Sequence, residues 1–289
     1  MITGALLHCP GIGPKRLTEL ELLGVRTWLD VLADENRIPV GYRGPLVDEC
    51  RRCQTALATD NIMYFAECFA PRDKWRILSH YLDQTSFFDI ETTGLEHDAA
   101  ITVIVCWHRG RLHTFVEHDN LDAFLELLDD VTLLASFNGS SFDVPRVLDT
   151  FHIPNLPCPH IDLRWICHHR AMSGSLKRIS QQLGIARPSD LSAADGALAV
   201  RLWNSWRYSQ NHDARTHLVR YCAADVLLLV LLARRLAGHH ESSDAEIWSH
   251  LPAVERSPVA APPIPLKTAA HQFGAASPRR LRARRTRPA

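Results

Sequence analysis

The chain has 289 residues, of which 46% are hydrophobic and 22% are charged, and its formal net charge is zero. Such a composition is typical of one or two globular domains. The longest uninterrupted apolar run, residues 226–233, is far shorter than the roughly 20 residues of a membrane-spanning helix. The start of the chain lacks the basic region and apolar stretch of a signal peptide. The sequence therefore predicts a cytoplasmic protein that does not bind a membrane.

The first 60 residues predict a small helical module. Pro14 suits the first turn of a helix, and Gly24 suits its C-terminal cap. Thr27-x-x-Asp30 is typical of a capping box at the start of the next helix.

The turn before Pro14 resembles the hairpin of a helix–hairpin–helix motif. The resemblance implies that Gly11, Gly13 and Lys15 contact a nucleic-acid phosphate without reading the base sequence. The alternative is a helical packing module that has kept only the shape of the hairpin.

The eight cysteines do not follow the spacing of a disulfide framework, and without an export signal we expect reduced thiols. Cys50 and Cys53 form a C-x-x-C pair, but no second pair follows at zinc-site spacing. This pair alone is therefore weak evidence for a metal site.

Residues 61–80 form a predicted connecting segment, and residues 81–240 follow an α/β pattern. Strands are predicted at 87–91, 101–107, 111–116, 131–137 and 160–163. The first three form an antiparallel meander, and helical periodicity dominates the segments between and after the later strands. This order predicts an α/β fold, in which a mixed sheet of a three-strand antiparallel meander plus parallel strands is flanked by helices.

The first predicted strand contains two acids in the run SFFDIETTGL. Asp89 and Glu91 are two positions apart, so their side chains share one face of the strand. Two like charges held so close favour a neighbouring cation, and Mg²⁺ or Mn²⁺ prefers oxygen ligands. The alternative is that both acids cap a helix or face solvent.

Two later segments contain further acids. NGSSFDVP places Asp143 near a helix start after the fourth strand, where α/β sheets commonly bind ligands. YCAAD places Tyr221 and Asp225 one helical turn apart on the same face. Taken singly, each acid could also be an ordinary residue of a first helical turn, favoured by the helix dipole.

Residues 253–289 predict a disordered basic tail, because they are rich in Pro, Ala and Arg and have almost no periodic apolar residues. Beyond Val254 the chain has eight basic residues and one acidic residue, a net charge of +7, so residues 1–254 carry −7.

FDIETTGL, NGSSFDVP and YCAAD resemble, in this order, the three motifs of the DEDD superfamily of 3′–5′ exonucleases on the ribonuclease-H-like fold. The tyrosine four residues before the last acid resembles the DEDDy branch. Residues 70–236 are similar more closely to bacterial YprB-like ribonuclease-H-like proteins. One departure is Cys222, where those relatives usually have Asn; we expect that Cys222 does not touch a metal ligand.

The resemblance implies a metal-dependent nuclease, a 3′–5′ exonuclease acting on single-stranded DNA or RNA with two Mg²⁺ or Mn²⁺ ions. Asp89, Glu91, Asp143 and Asp225 would hold the ions, and Tyr221 would position the attacking water. The alternatives are a non-catalytic nucleic-acid-binding protein on the same fold and an endonuclease selective for structured DNA or RNA.

Two polar residues are weaker candidates for nucleic-acid binding. Asn138 could contact the substrate or support the loop that carries Asp143. Lys177, near a predicted helix start, could reach a substrate phosphate or be an ordinary solvated lysine.

Overall fold

A computed structural model of the chain describes residues 1–96, 98–191, 196–239 and 244–253. The predicted basic tail lies outside the described residues from position 254 onward.

Five helices precede the sheet: α1 (Pro14–Leu22), α2 (Trp28–Ala33), α3 (Val40–Ala58), α4 (Ile62–Cys68) and α5 (Trp75–His80). Pro14 is the first residue of α1, as predicted. The capping box of α2 is confirmed, because Asp30 N donates to Thr27 Oγ1 over 3.2 Å and Thr27 N donates to Asp30 Oδ2 over 2.8 Å. Gly24 follows α1 with a φ of 77°, a left-handed conformation that favours glycine.

The sheet has five strands: β1 (Thr85–Thr92), β2 (Ile101–His108), β3 (Arg111–Val116), β4 (Leu133–Ser136) and β5 (His160–Asp162). Their spatial order is β3-β2-β1-β4-β5. The β1–β2 and β2–β3 pairs are antiparallel, whereas β1–β4 and β4–β5 are parallel. The predicted mixed sheet with its antiparallel meander is confirmed.

The remaining helices are α6 (Ala123–Leu128), α7 (Asp143–Phe151), α8 (Leu163–His169), α9 (Leu176–Gln182), α10 (Gly196–Ser209), α11 (His212–Ala237) and α12 (Asp244–Trp248). Helix α11 packs against β1 and β2.

By length and composition α11 could cross a membrane, which the count of uninterrupted apolar residues did not reveal. However, 78% of its most apolar window is buried inside the protein, which is what the core helix of a globular protein also shows. It is therefore weak evidence for a membrane span.

Alternation along β1 divides its side chains between two cores. Phe88 and Ile90 pack with residues of α6 and α7 on one face. Phe87 belongs to the other core, which contains most of α11. Asp89 and Glu91 alternate with Phe88 and Ile90, so they share the face of Phe87 and lie under α11.

The core under α11 also includes buried residues of the N-terminal helices, among them Leu20, Trp28 and Leu46. The packing is thus continuous from the N-terminal helices to the sheet. The division into a module at 1–60, a connecting segment at 61–80 and a nuclease domain at 81–240 stays a proposal.

Candidate active site

The central strand β1 carries the first two acids. It is hydrogen-bonded to β2 on one side and to β4 on the other, which fixes its position in the sheet. Asp89 lies opposite Val105 and Glu91 opposite Val103, and the β1–β2 register becomes irregular directly after Glu91. Both carboxylates therefore project from the regularly paired part of the strand.

The loop between β4 and α7 brings in the third acid. Asp143 begins α7, is only 4% exposed and accepts a hydrogen bond from Ile90 N over 3.3 Å. Gly139 permits the tight loop, because a Cβ there would lie 1.9 Å from Ser136 Oγ. The position of this acid thus depends on a contact with β1 and on a loop with no room for a side chain at 139.

Asp162, at the end of β5, fixes the same loop. Its carboxylate accepts hydrogen bonds from Asn138 N (2.8 Å) and Ser140 N (3.1 Å). The Asn138 side chain accepts from Arg164, and its φ of 67° is left-handed, a conformation that asparagine tolerates better than most residues. These contacts favour the loop-supporting interpretation of Asn138; its binding to nucleic acid stays a proposal.

Helix α11 brings Tyr221, Cys222 and Asp225 over β1. The Cys222 thiol lies 3.4 Å from the Asp89 carbonyl oxygen and 3.7 Å from Asp89 Oδ2. The expectation that Cys222 does not touch a proposed metal ligand is therefore wrong. One helical turn places the tyrosine and the acid on a common face, and burial, followed by the charge of Asp225, raises the pKa of the Tyr221 phenol.

The four acids form one electrostatic unit, here called the acidic cluster (Asp89, Glu91, Asp143 and Asp225). Burial, followed by the charges of the other members, raises the pKa of Asp89 and of Glu91 well above their usual values. Burial raises the pKa of Asp143 to about 7. Burial also raises the pKa of Asp225, although Arg187 and Lys177 oppose the shift.

Two cationic side chains lie at the edge of the acidic cluster. Lys177 Nζ donates to the Tyr221 hydroxyl over 3.1 Å. Arg187 Nη2 lies 3.0 Å from Asp225 Oδ1, and the Arg187 side chain is 7% exposed. The two groups form an ion pair without the alignment of a hydrogen bond, so Asp225 Oδ1 keeps its hydrogen-bonding capacity.

Arg187 was missed by sequence reasoning. It lies in the loop after α9, outside any helical or strand period. In the sequence, Arg187 only follows shortly after the segment that contains Lys177, and this position alone does not indicate a functional residue.

The donor set fits a hard divalent cation. It consists of carboxylate oxygens that raise one another's pKa, and one of them, Asp225 Oδ1, is buried without a hydrogen bond. Carboxylate oxygens of Asp89 and Glu91 and the sulfur of Cys222 lie within 4.8 Å of one another. Mg²⁺ and Mn²⁺ bind such oxygen-rich sites and offset the repulsion between the carboxylates.

The remaining predicted residues lie in a different part of the chain. Gly11, with a φ of 79°, and Gly13 precede α1, and Lys15 is exposed in its first turn. Arg16 Nη1 donates to the Gly11 carbonyl over 2.7 Å, which closes the turn. The described contacts of the acidic cluster do not include these residues.

Two known proteins are similar to parts of this chain. The uncharacterized protein YprB of Bacillus subtilis (strain 168) is 30% identical over 169 residues, which are 50% of this chain and 40% of that protein. The chain thus spans less than half the length of this relative. A solved family B DNA polymerase from the hyperthermophilic archaeon Pyrobaculum calidifontis aligns with 52% of this chain and 24% of its own, at 16% identity and a TM-score of 0.42.

A family model described as the RNase H superfamily matches residues 86–237. These residues include the five-stranded sheet and all four members of the acidic cluster, and the predicted ribonuclease-H-like fold class is confirmed. Because the match covers more than half of the chain, this protein belongs to the RNase H superfamily.

Proposed function

We propose that the protein is a metal-dependent 3′–5′ exonuclease of the DEDDy type that hydrolyses phosphodiester bonds of single-stranded DNA or RNA. Ribonuclease-H-like proteins are generally phosphodiester hydrolases that use divalent metals. The observation that carries the proposal is the convergence of four carboxylates from β1, α7 and α11 beneath one tyrosine.

The acidic cluster would hold two Mg²⁺ or Mn²⁺ ions, which supply Lewis-acid stabilisation of the attacking and leaving oxygens when bound. Asp89 and Glu91 on the central strand would provide the first two ligands of the site. Asp143 and Asp225 would complete it from two helices, so the site forms only when sheet and helices are packed together.

Tyr221 would position the attacking water rather than deprotonate it. Burial, followed by the nearby carboxylates, raises the pKa of its phenol above the usual value, so the group stays protonated at neutral pH. Its hydroxyl already accepts a hydrogen bond from Lys177 Nζ over 3.1 Å. A protonated hydroxyl held in this way can orient a water or a phosphate oxygen but is a poor general base.

Lys177 and Arg187 would contact the scissile phosphate. Both are cations at the edge of the acidic cluster. A guanidinium matches the geometry of phosphate oxygens, and an ammonium acts as a point charge. Once metal neutralises Asp225, the guanidinium of Arg187 is available to an anionic substrate.

A surface cavity beside the Asp143 loop supports a nucleic-acid substrate. It is lined by Ser140 of that loop, by Asp162 at the end of β5, by Lys74 and by the half-exposed Trp165. A basic group next to an exposed aromatic ring is the combination that binds single strands through phosphate contact and base stacking.

The hairpin residues Gly11, Gly13 and Lys15 would add a contact to structured DNA or RNA. A cytoplasmic location also remains a prediction.

The test uses the purified full chain with Mg²⁺ or Mn²⁺ on 5′-labelled linear and on circular single strands of both DNA and RNA. The proposal expects progressive shortening of linear strands from the 3′ end and no cut in circles. Cleavage of circles would identify the endonuclease alternative. Binding without hydrolysis under either metal would identify the non-catalytic alternative.

A further inference from the structure

A second cluster of potential metal ligands lies among the N-terminal helices. His8, in the segment before α1, places Nε2 3.1 Å from Cys53 Sγ and 3.7 Å from Glu49 Oε1. Cys53 Sγ and Glu49 Oε1 are 4.0 Å apart. Cys68, at the end of α4, offers its sulfur within 4.8 Å of ligand atoms of His8 and Glu49. Three segments that are distant in sequence therefore converge on one point.

The surroundings of His8 make this convergence unusual. Its side chain is 1% exposed, its ring lies 4.8 Å from that of Phe69, and its Nδ1 is buried without a partner. Burying a polar ring is costly unless its nitrogens have good partners, and thiols are weak ones. The Cys53 thiol is thus a weak partner for His8 Nε2, whereas two thiolates, an imidazole and a carboxylate form a complete set of metal ligands.

We infer that His8, Glu49, Cys53 and Cys68, here called the thiol cluster, bind one Zn²⁺ ion in a tetrahedral site. Bond lengths of about 2.0–2.3 Å place neighbouring ligand atoms of such a site about 3.3–3.8 Å apart. The three distances of 3.1, 3.7 and 4.0 Å among His8, Glu49 and Cys53 bracket this range. Three of the four ligand atoms thus already lie near tetrahedral spacing, and Cys68, whose sulfur lies within 4.8 Å of ligand atoms of His8 and Glu49, is the ligand that must move to close the site.

The groups around Glu49 complete the arrangement. Arg52 Nε donates to Glu49 Oε2 over 3.0 Å, and the Tyr64 hydroxyl donates to Glu49 Oε1. Such outer contacts orient ligating carboxylates in metal sites. Two thiolates and one carboxylate would carry three negative charges, which Zn²⁺ and the Arg52 guanidinium neutralise together.

The arrangement also explains why the C-x-x-C pair was weak evidence in the sequence. Its two thiols have different surroundings, because Cys53 contacts His8 whereas the Cys50 thiol lies near that of Cys9. The site therefore draws one ligand from the pair and the others from positions that no standard zinc spacing connects.

The test measures the metal content of the purified full chain after exposure to Zn²⁺ in excess Mg²⁺ and removal of unbound ions. We expect one zinc ion per chain. Replacement by Co²⁺ should give the sulfur-to-cobalt charge-transfer absorption that carboxylate ligands do not give. Cys53→Ser and Cys68→Ser each leave one thiolate, so each should reduce this absorption, and the double variant should abolish it.

Three control variants separate the thiol cluster from other sites. Cys158→Ser removes a buried thiol of the other core, and Cys222→Ser removes the thiol beside the acidic cluster. Both should keep the zinc ion and the cobalt absorption, as should Asp89→Asn, so failure of the nuclease proposal would not affect this result.

Absence of zinc and of the cobalt absorption in the wild-type protein would overturn the inference without relying on the folding of any variant. A cobalt absorption lost only in Cys222→Ser would overturn it as well. So would a Cys53–Cys68 disulfide detected by mass spectrometry of the unreduced protein, since those sulfurs could not then bind the metal.

Discussion

Two buried glutamates, Glu49 in α3 and Glu91 in β1, have opposite electrostatic surroundings. Burial and the neighbouring carboxylates raise the pKa of Glu91 well above its usual value. Burial also acts on Glu49, but the hydrogen bond from Tyr64 and the ion pair with Arg52 bring the pKa of that carboxyl below its usual value. The same residue type is therefore disfavoured as an anion in one place and favoured in the other.

The difference shows that the partners, rather than burial alone, decide what a buried acid can do. Glu49 receives its compensating charge from the protein, so it is ionised without a metal. Glu91 lies among other acids, so the acidic cluster is neutralised by protons or by added cations. Hard oxygen ligands in one cluster and sulfur and nitrogen ligands in the other should also select different metals.

The largest expected effect is that of Asp89→Asn. Removing one carboxylate should lower hydrolysis by at least about 100- to 1,000-fold, the usual cost of losing a single electrostatic group in an active site. The metal-free variant should unfold at no lower denaturant concentration than wild type, because the substitution relieves repulsion. Turnover in Mg²⁺ and urea unfolding in a chelator measure the two effects. Near-normal turnover would contradict the two-metal assignment.

Glu49→Gln is the matched variant from the other cluster. It should leave hydrolysis intact and reduce the free energy of unfolding by about 1.5–3 kcal/mol, the range for hydrogen bonds to charged groups. If Asp89→Asn and Glu49→Gln changed the free energy of unfolding equally, the proposed difference between the surroundings of the two clusters would be contradicted.

Tyr221→Phe should lower the hydrolysis rate by about tenfold to a thousandfold, roughly the contribution of one positioned catalytic group. The affinity for metal should not change, since the phenol is proposed to act on the water. Rates at saturating Mg²⁺ and metal titrations separate these effects. A normal rate with weakened metal binding would assign Tyr221 to the metal instead.

The sequence predicted the sheet and the acidic cluster because both depend on short-range patterns. Alternation placed Asp89 and Glu91 on one face, helical spacing joined Tyr221 to Asp225, and the resemblance set their order along the chain. In the structure β1 pairs with β4, which precedes the Asp143 loop, and α11 packs on β1, so the three motifs meet.

Contacts that depend on tertiary packing could not be predicted in this way. Arg187 lies in a loop, so no periodicity indicates that it reaches Asp225. Cys222 was expected not to contact a proposed ligand, but the rotation of α11 over β1 turns its thiol toward Asp89. His8 and Cys68 meet only because α3 and α4 fold back on the start of the chain.

Arg187→Gln tests the ion pair that moderates the acidic cluster. Removing one partner of a buried pair costs about 3–5 kcal/mol, less where the remaining group can take a proton. Without Arg187 the pKa of Asp225, already raised by burial, should rise further. A raised pKa in the folded state means that stability falls as the pH increases above the unfolded value. In the presence of a chelator, Arg187→Gln should therefore reduce the free energy of unfolding by more at pH 8 than at pH 5.

Urea unfolding of Arg187→Gln and of wild type at both pH values measures this difference. Arg52→Gln is the control, because its side chain is 58% exposed and should cost less stability. A pH-independent loss equal to that of Arg52→Gln would show that Arg187 does not interact with an ionised Asp225.

The smallest effect is expected for Cys222→Ser, which exchanges a weak donor for a stronger one beside Asp89. A hydroxyl should favour the ionised carboxylate and so reduce proton competition with the metal. The net gain from one such hydrogen bond is about 0.5–1.5 kcal/mol, which corresponds to a shift of about two- to tenfold in the Mg²⁺ concentration needed for half-maximal activity. Turnover at saturating Mg²⁺ should stay close to wild type, since the substitution leaves all four carboxylates in place. A large loss of activity, with a metal preference moved from Zn²⁺ toward Mg²⁺, would instead make the thiol a ligand. The acidic cluster would then include a sulfur ligand, as the thiol cluster does. That result would contradict the proposal that the two clusters differ in binding a hard and a soft metal ion.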